Sequence, residues 1–81
     1  MRIKIQKPFK KQYFLLDKLT KKKVRKAIKS LRKGELNLDK LSSGHNIYKI
    51  RIGDYRILIR KREDIYFIVG IELRKEVYRN L

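Results

Sequence analysis

The stretch from Ile47 to Arg62 constrains the fold more than any other part of the chain. Two isoleucine-rich runs, Ile47 to Ile52 and Tyr55 to Arg62, are separated by Gly53-Asp54. Glycine supplies the positive φ of a two-residue type II′ turn, whose twist suits antiparallel strands. A two-residue loop also fixes the register: Ile52 faces Tyr55, Arg51 faces Arg56, Ile50 faces Ile57, and Lys49 faces Leu58. Side chains alternate along a strand, so Tyr48, Ile50, Ile52, Tyr55, Ile57 and Ile59 share one face. Lys49, Arg51, Arg56 and Arg60 share the other. One face of this hairpin is therefore apolar and the other basic. A third strand, Ile65 to Leu73, follows a less definite turn at Glu63-Asp64. It is apolar on both faces, as an interior strand would be.

The first half of the chain reads as helical. Residues 2–6 alternate Ile3 and Ile5 with polar neighbours, which suggests a short strand. Pro8 suits the first turn of a helix, where its missing N–H is not needed. Phe9, Tyr13 and Leu16, with Leu19 as a possible extension, follow at helical spacing. Thr20 is placed to cap a second helix, in which Val24, Ala27, Ile28 and Leu31 form one apolar stripe. Gly34 sits where a helix C-cap is expected. Residues 35–46 read as an irregular connection pinned by Leu36, Leu38 and Leu41. The tail from Arg74 to Leu81 is too short to classify. The expected fold is a single α+β domain over residues 1–81, ordered β-α-α-β-β-β. It packs a helical hairpin on a small, mostly antiparallel sheet. A chain of 81 residues cannot enclose a large substrate, so any site should be an open patch facing a large partner.

Charge narrows the partner. Twenty-four Lys and Arg oppose eight Asp and Glu, a formal net charge of +16. Such a field repels itself in a compact monomer and calls for a polyanion, nucleic acid ahead of an acidic protein. Residues 1–34 carry fourteen basic residues and one acid, so the helical half looks like a docking surface. Lys21, Lys22, Lys23, Arg25, Lys26 and Lys29 in the second helix, with Arg60 in the sheet, are its candidate nucleic-acid-binding residues. No helix is expected to set basic residues against an exposed aromatic face, which argues against a membrane surface. There are no cysteines for a disulfide framework or a thiolate zinc site, and His45 alone cannot build a metal site. No metal or cofactor is expected. The start of the chain lacks the apolar block of a signal peptide, and a cytoplasmic protein is expected.

The basic face of the hairpin needs its own explanation. Arg51 directly opposite Arg56 costs stability, and nothing in the fold requires it. A polyanion would relieve it. A solvated face of a basic chain would look similar, but this half contains acids and the alternation places none of them on the patch.

The segment Tyr48-Lys49-Ile50-Arg51-Ile52-Gly53-Asp54-Tyr55-Arg56-Ile57-Leu58-Ile59, followed by Arg74-Lys75-Glu76-Val77-Tyr78-Arg79, resembles the signature of the RelE/ParE toxin superfamily. The approach from Leu41 to Gly44 fits as well, and the element order matches that superfamily's fold. In RelE-type members the resemblance implies a ribosome-dependent messenger-RNA endoribonuclease acting in the A site. The ribose 2′-oxygen attacks the adjacent phosphate without a metal, leaving a 2′,3′-cyclic phosphate. By position, Lys49 and Arg51 correspond to a basic catalytic pair and Arg56 to the arginine on the scissile phosphate. Arg74 corresponds to the basic position of the closing motif, and Tyr78 to a tyrosine that stacks on the substrate base. The implied partners are the ribosome, messenger RNA and a cognate RelB-like antitoxin. That antitoxin would cover the helices or the basic sheet face.

The chain departs from the pattern at two positions. Glu72 stands where some members have arginine, and Arg51 where some have lysine. Arginine hardly deprotonates, so Arg51 is expected to bind phosphate, leaving Lys49 to transfer protons. Two other functions share these features. ParE-like members with the same fold inhibit DNA gyrase, and a non-catalytic RNA-binding module would need only the basic helical half.

Overall fold

The computed structural model describes residues 2–35, 38–40 and 46–73. Its elements are β1 (Arg2–Ile5), α1 (Lys7–Phe14), α2 (Lys18–Arg32), β2 (Asp39–Lys40), β3 (Ile47–Ile52), β4 (Tyr55–Arg62) and β5 (Ile65–Leu73). Pro8 lies in the first turn of α1, as its locked φ favours. The helix stops at Phe14, so Leu16 packs on the core from the interhelical turn and Leu19 belongs to α2.

The start of α2 corrects the sequence expectation. Asp17, not Thr20, is the N-cap: its Oδ2 accepts the backbone N–H of Thr20 at 3.3 Å. A carboxylate three residues upstream satisfies a free N–H and places negative charge at the positive end of the helix. That charge matters here because the first turn of α2 contains no other acid. At the opposite end Gly34 takes φ 73°. Its N–H donates to the Leu31 carbonyl at 3.0 Å, and that of Glu35 to the Ser30 carbonyl at 2.9 Å. This is a Schellman C-cap at the position the glycine marked.

The sheet order is β1-β5-β4-β3-β2, with β1 parallel to β5 and the remaining pairs antiparallel. The β3–β4 register is the one Gly53-Asp54 dictates, including Arg51 opposite Arg56 and Lys49 opposite Leu58. Gly53 supplies φ 57°. Two features were not expected. Asp39–Lys40, read as irregular, pairs with Lys49 and Tyr48 as β2. In addition, the β4–β5 ladder shifts between Leu58 and Ile59: Leu58 pairs with Gly70 but Ile59 with Ile68, leaving Val69 as a bulge.

Helices and sheet meet in one core. Phe9, Val24 and Leu31 pack with Ile50, Ile52, Ile57, Ile59, Tyr66, Ile68 and Ile71. The helices thereby cover the apolar face of the β3–β4 hairpin. Its other face is left to the charged residues.

Candidate functional site

Lys49, Arg51, Arg56 and Arg60 lie on the sheet face turned away from the helices, as alternation requires. Arg51 and Arg60 are exposed, Lys49 is half-buried, and Arg56 is only 4 % exposed. Arg51 and Arg56 are cross-strand neighbours, and Lys49 is one step along β3 from Arg51 on the same face. Arg60 is separated from this group by Leu58, and its partners are Ile47 and Phe67. The site is thus a tight three-residue group with an outlying fourth.

The face is more basic at its far end than the hairpin alone implies. Because β1 runs parallel to β5, Arg2 pairs with Ile65 and Lys4 with Phe67, which carries both cations onto this surface beside Arg62. Alternation in β1 already separated Arg2 and Lys4 from Ile3 and Ile5. What the sequence did not reveal was the strand that β1 joins.

The expectation that no acid falls on the patch fails, because Glu72 is the register partner of Arg56. Simple alternation from Ile68 would send Glu72 to the core side, and the Val69 bulge reverses that phase. Arg51, Arg56 and Glu72 therefore form one row across β3, β4 and β5. Arg74, Tyr78 and His45 lie outside the described residues.

The helical cations divide. Lys22, Arg25, Lys26 and Lys29, with Lys10 and Arg32, rim a cleft of about 830 Å³ between the helices, floored by Ile5, Phe9, Tyr13, Phe14 and Ile28. Two of the candidate cations have partners within the hairpin. Arg25 Nη1 donates to the Tyr13 hydroxyl at 2.7 Å, and Lys21 Nζ stands 5.8 Å from the Tyr13 ring and 5.9 Å from that of Phe14. Lys23 lines a second hollow at the sheet edge with Arg51 and Gly53, and Lys26 borders both this hollow and the cleft. They connect the helical charge to the Arg51 row.

The cleft also overturns an expectation. Phe14 is 71 % exposed, with Leu15 and Leu19 exposed beside it, so the hairpin does set basic residues against an open aromatic face. The stripe reading missed this because Phe14 belongs to the other side of a short helix. Among the described residues no helix is long and apolar enough to cross a membrane.

The row sets the exposed Arg51 beside the buried Arg56, with Lys49 next to them and Glu72 at its end. Guanidinium groups match phosphate oxygens bidentately. Known proteins share this architecture. The RelB–RelE antitoxin–toxin complex of Methanococcus jannaschii contains a chain matching 96 % of this one over 98 % of its own length, at TM-score 0.82 and 24 % identity. The archaeal RelE–RelB complex of Pyrococcus horikoshii gives TM-score 0.71 at 23 % identity, covering 90 % of this chain and 93 % of that one. YafQ of E. coli gives 0.75 at 16 % identity, covering 96 % and 99 %. A search of curated protein sequences found no match. The model of the ParE toxin of type II toxin–antitoxin systems (parDE) matches residues 3–78, nearly the full length. The chain belongs to that toxin family, within the RelE/ParE superfamily.

Proposed function

We propose that this toxin is a ribosome-dependent endoribonuclease that cleaves messenger RNA in the A site without a metal. The observation that carries the reading is the Arg51–Arg56 pair with Lys49 beside it, on a sheet face the helices leave open. Attack by a 2′-hydroxyl needs in-line geometry, stabilisation of a phosphorane-like charge and proton transfer at both ends. Exposed Arg51 meets the phosphate, and Arg56 behind it adds a donor whose position is set by packing. Lys49 serves proton transfer. Arg74 and Tyr78 complete the site by resemblance, the tyrosine stacking on the substrate base. Lys21, Lys22, Lys23, Arg25, Lys26, Lys29 and Arg60 contribute charge toward rRNA.

The same reading includes a RelB-like antitoxin, as in the complexes from M. jannaschii and P. horikoshii. The apolar floor and cationic rim of the helical cleft suit an acidic amphipathic segment, which would cover Phe14 and neutralise the rim. The protein works in the cytoplasm, where its ribosomal target lies.

A second reading, inhibition of DNA gyrase, is favoured by the ParE model that matches the chain. Two assays separate them. Added to a translation extract, the nuclease stops synthesis and leaves shortened messages with 2′,3′-cyclic phosphate ends. A gyrase inhibitor leaves messages intact and blocks supercoiling of relaxed plasmid. A non-catalytic RNA-binding module does neither while still sedimenting with ribosomes.

A further inference from the structure

The bulge in β5 is held from α1. β1 ends opposite Ile68, so past that point its edge of β5 has no strand neighbour among the described residues. Gln12 fills the gap: its Oε1 accepts the backbone N–H of Ile71 at 2.8 Å. Gly70 leaves the carboxamide room there: a Cβ at that position would stand 3.2 Å from the oxygen, a tight contact. With Val69 bulged out, Ile71 turns into the core at 4 % exposure, and Glu72 takes the opposite face, across from Arg56. A helix side chain, a glycine and a bulge thus combine to place one half-buried carboxylate at the end of an arginine row.

We propose that Glu72 is the proton acceptor of this site, deepening the nuclease reading on which it rests. The guanidinium groups of Arg51 and Arg56 carry only N–H donors and no acceptor, so neither can take a proton from a hydroxyl. Among the described side chains Glu72 is the carboxylate in that row. Lys49 lies on β3, on the far side of β4 from Glu72, with backbones two strands apart, roughly 10 Å. In-line displacement needs this division: an acceptor at the attacking oxygen, a donor at the leaving oxygen, and anion binders between them. Glu72 takes the 2′-hydroxyl proton as the 2′-oxygen bonds to phosphorus. Arg51, the exposed member of the row, holds the non-bridging oxygens, with the buried Arg56 behind it. The bond from phosphorus to the 5′-oxygen breaks as Lys49 donates a proton to that oxygen, giving a cyclic phosphate and a 5′-hydroxyl. Water then restores both side chains.

The test is single-turnover cleavage on programmed ribosomes by wild type, Glu72→Gln and Glu72→Ala. Binding is measured in parallel to ribosomes whose A-site codon carries 2′-O-methyl riboses, which cannot react. We expect Glu72→Gln to lower the rate by about 100-fold or more, in line with removal of a positioned base. It should bind the methylated complex as well as wild type or better. Added formate should speed Glu72→Ala and leave Glu72→Gln unchanged. Cleavage by Glu72→Gln at the wild-type rate overturns the proposal while leaving the nuclease intact. A loss of rate matched by an equal loss of binding makes Glu72 a structural counter-ion and also overturns it. Wild type that cleaves nothing removes the nuclease reading and this role with it.

Discussion

Arg51 and Arg56 stand directly opposite each other on the β3–β4 ladder, and only Arg51 is open to solvent. Directly opposed like charges destabilise a sheet, so the pair should trade stability for anion binding. Arg51→Thr is expected to raise the unfolding free energy by roughly 0.5 kcal/mol in urea titrations at low salt. The gain should shrink as salt screens the repulsion. The same variant should cleave RNA more slowly, because the exposed member of the pair is lost. A stability loss in Arg51→Thr would show that the pair is not repulsive in the folded protein.

Gln12 and Gly70 should behave as one device. Gln12→Ala leaves the Ile71 N–H without its acceptor and is expected to cost about 1–2 kcal/mol. Gly70→Ala crowds the Gln12 carboxamide and should also destabilise, but less so in a Gln12→Ala background. A double-mutant cycle measures that coupling, and strictly additive effects would separate the two residues. Because the bulge aims Glu72, Gln12→Ala should slow cleavage more than its stability loss explains.

The second hairpin turn contains a residue under strain. Glu63 has φ 57°, a left-handed conformation that β-carbons disfavour. Glu63→Gly is expected to stabilise the protein by about 1 kcal/mol, read as a higher melting temperature. No effect on cleavage is expected, since this turn lies at the far end of β4 from Arg56.

These relationships differ in how far the sequence disclosed them. The β3–β4 register, Arg51 opposite Arg56 and the Gly34 cap depend on a few adjacent residues, and turn chemistry determines them locally. Asp17 and Thr20 are both good caps three residues apart, and composition cannot choose between them. The structure chooses the carboxylate, which also answers the helix dipole. The parallel pairing of β1 with β5 joins the two ends of the chain and has no local signal. The least legible feature is Glu72, because the bulge that turns it outward lies beside a hydrogen bond to Gln12, 60 residues earlier in the chain. An isolated Gly70 in an apolar strand was the available hint.

Asp17 also gives the stability a defined acid dependence. Its hydrogen bond to Thr20, with the Thr20 backbone N–H, holds its pKa below the ordinary 3.8. A carboxylate depressed by folding contributes stability that is present above its unfolded value, and that contribution disappears as pH falls through the lower folded value. Melting curves from about pH 5 down to about pH 2 should therefore show wild type losing stability that Asp17→Asn does not lose. The asparagine retains the capping oxygen without the titration. Parallel curves for the two proteins would mean that the cap is not carried by the ionised form.

On the proposed function, the Arg51–Arg56 face cuts message on the ribosome. Primer extension on programmed ribosomes tests it most directly, with wild type beside Arg56→Ala and co-sedimentation to record binding. We expect wild type to cut within the A-site codon, and the variant to bind ribosomes without cutting. Intact message with wild type bound to ribosomes would contradict the claim and leave a binding module. Intact message without ribosome binding would turn attention to gyrase.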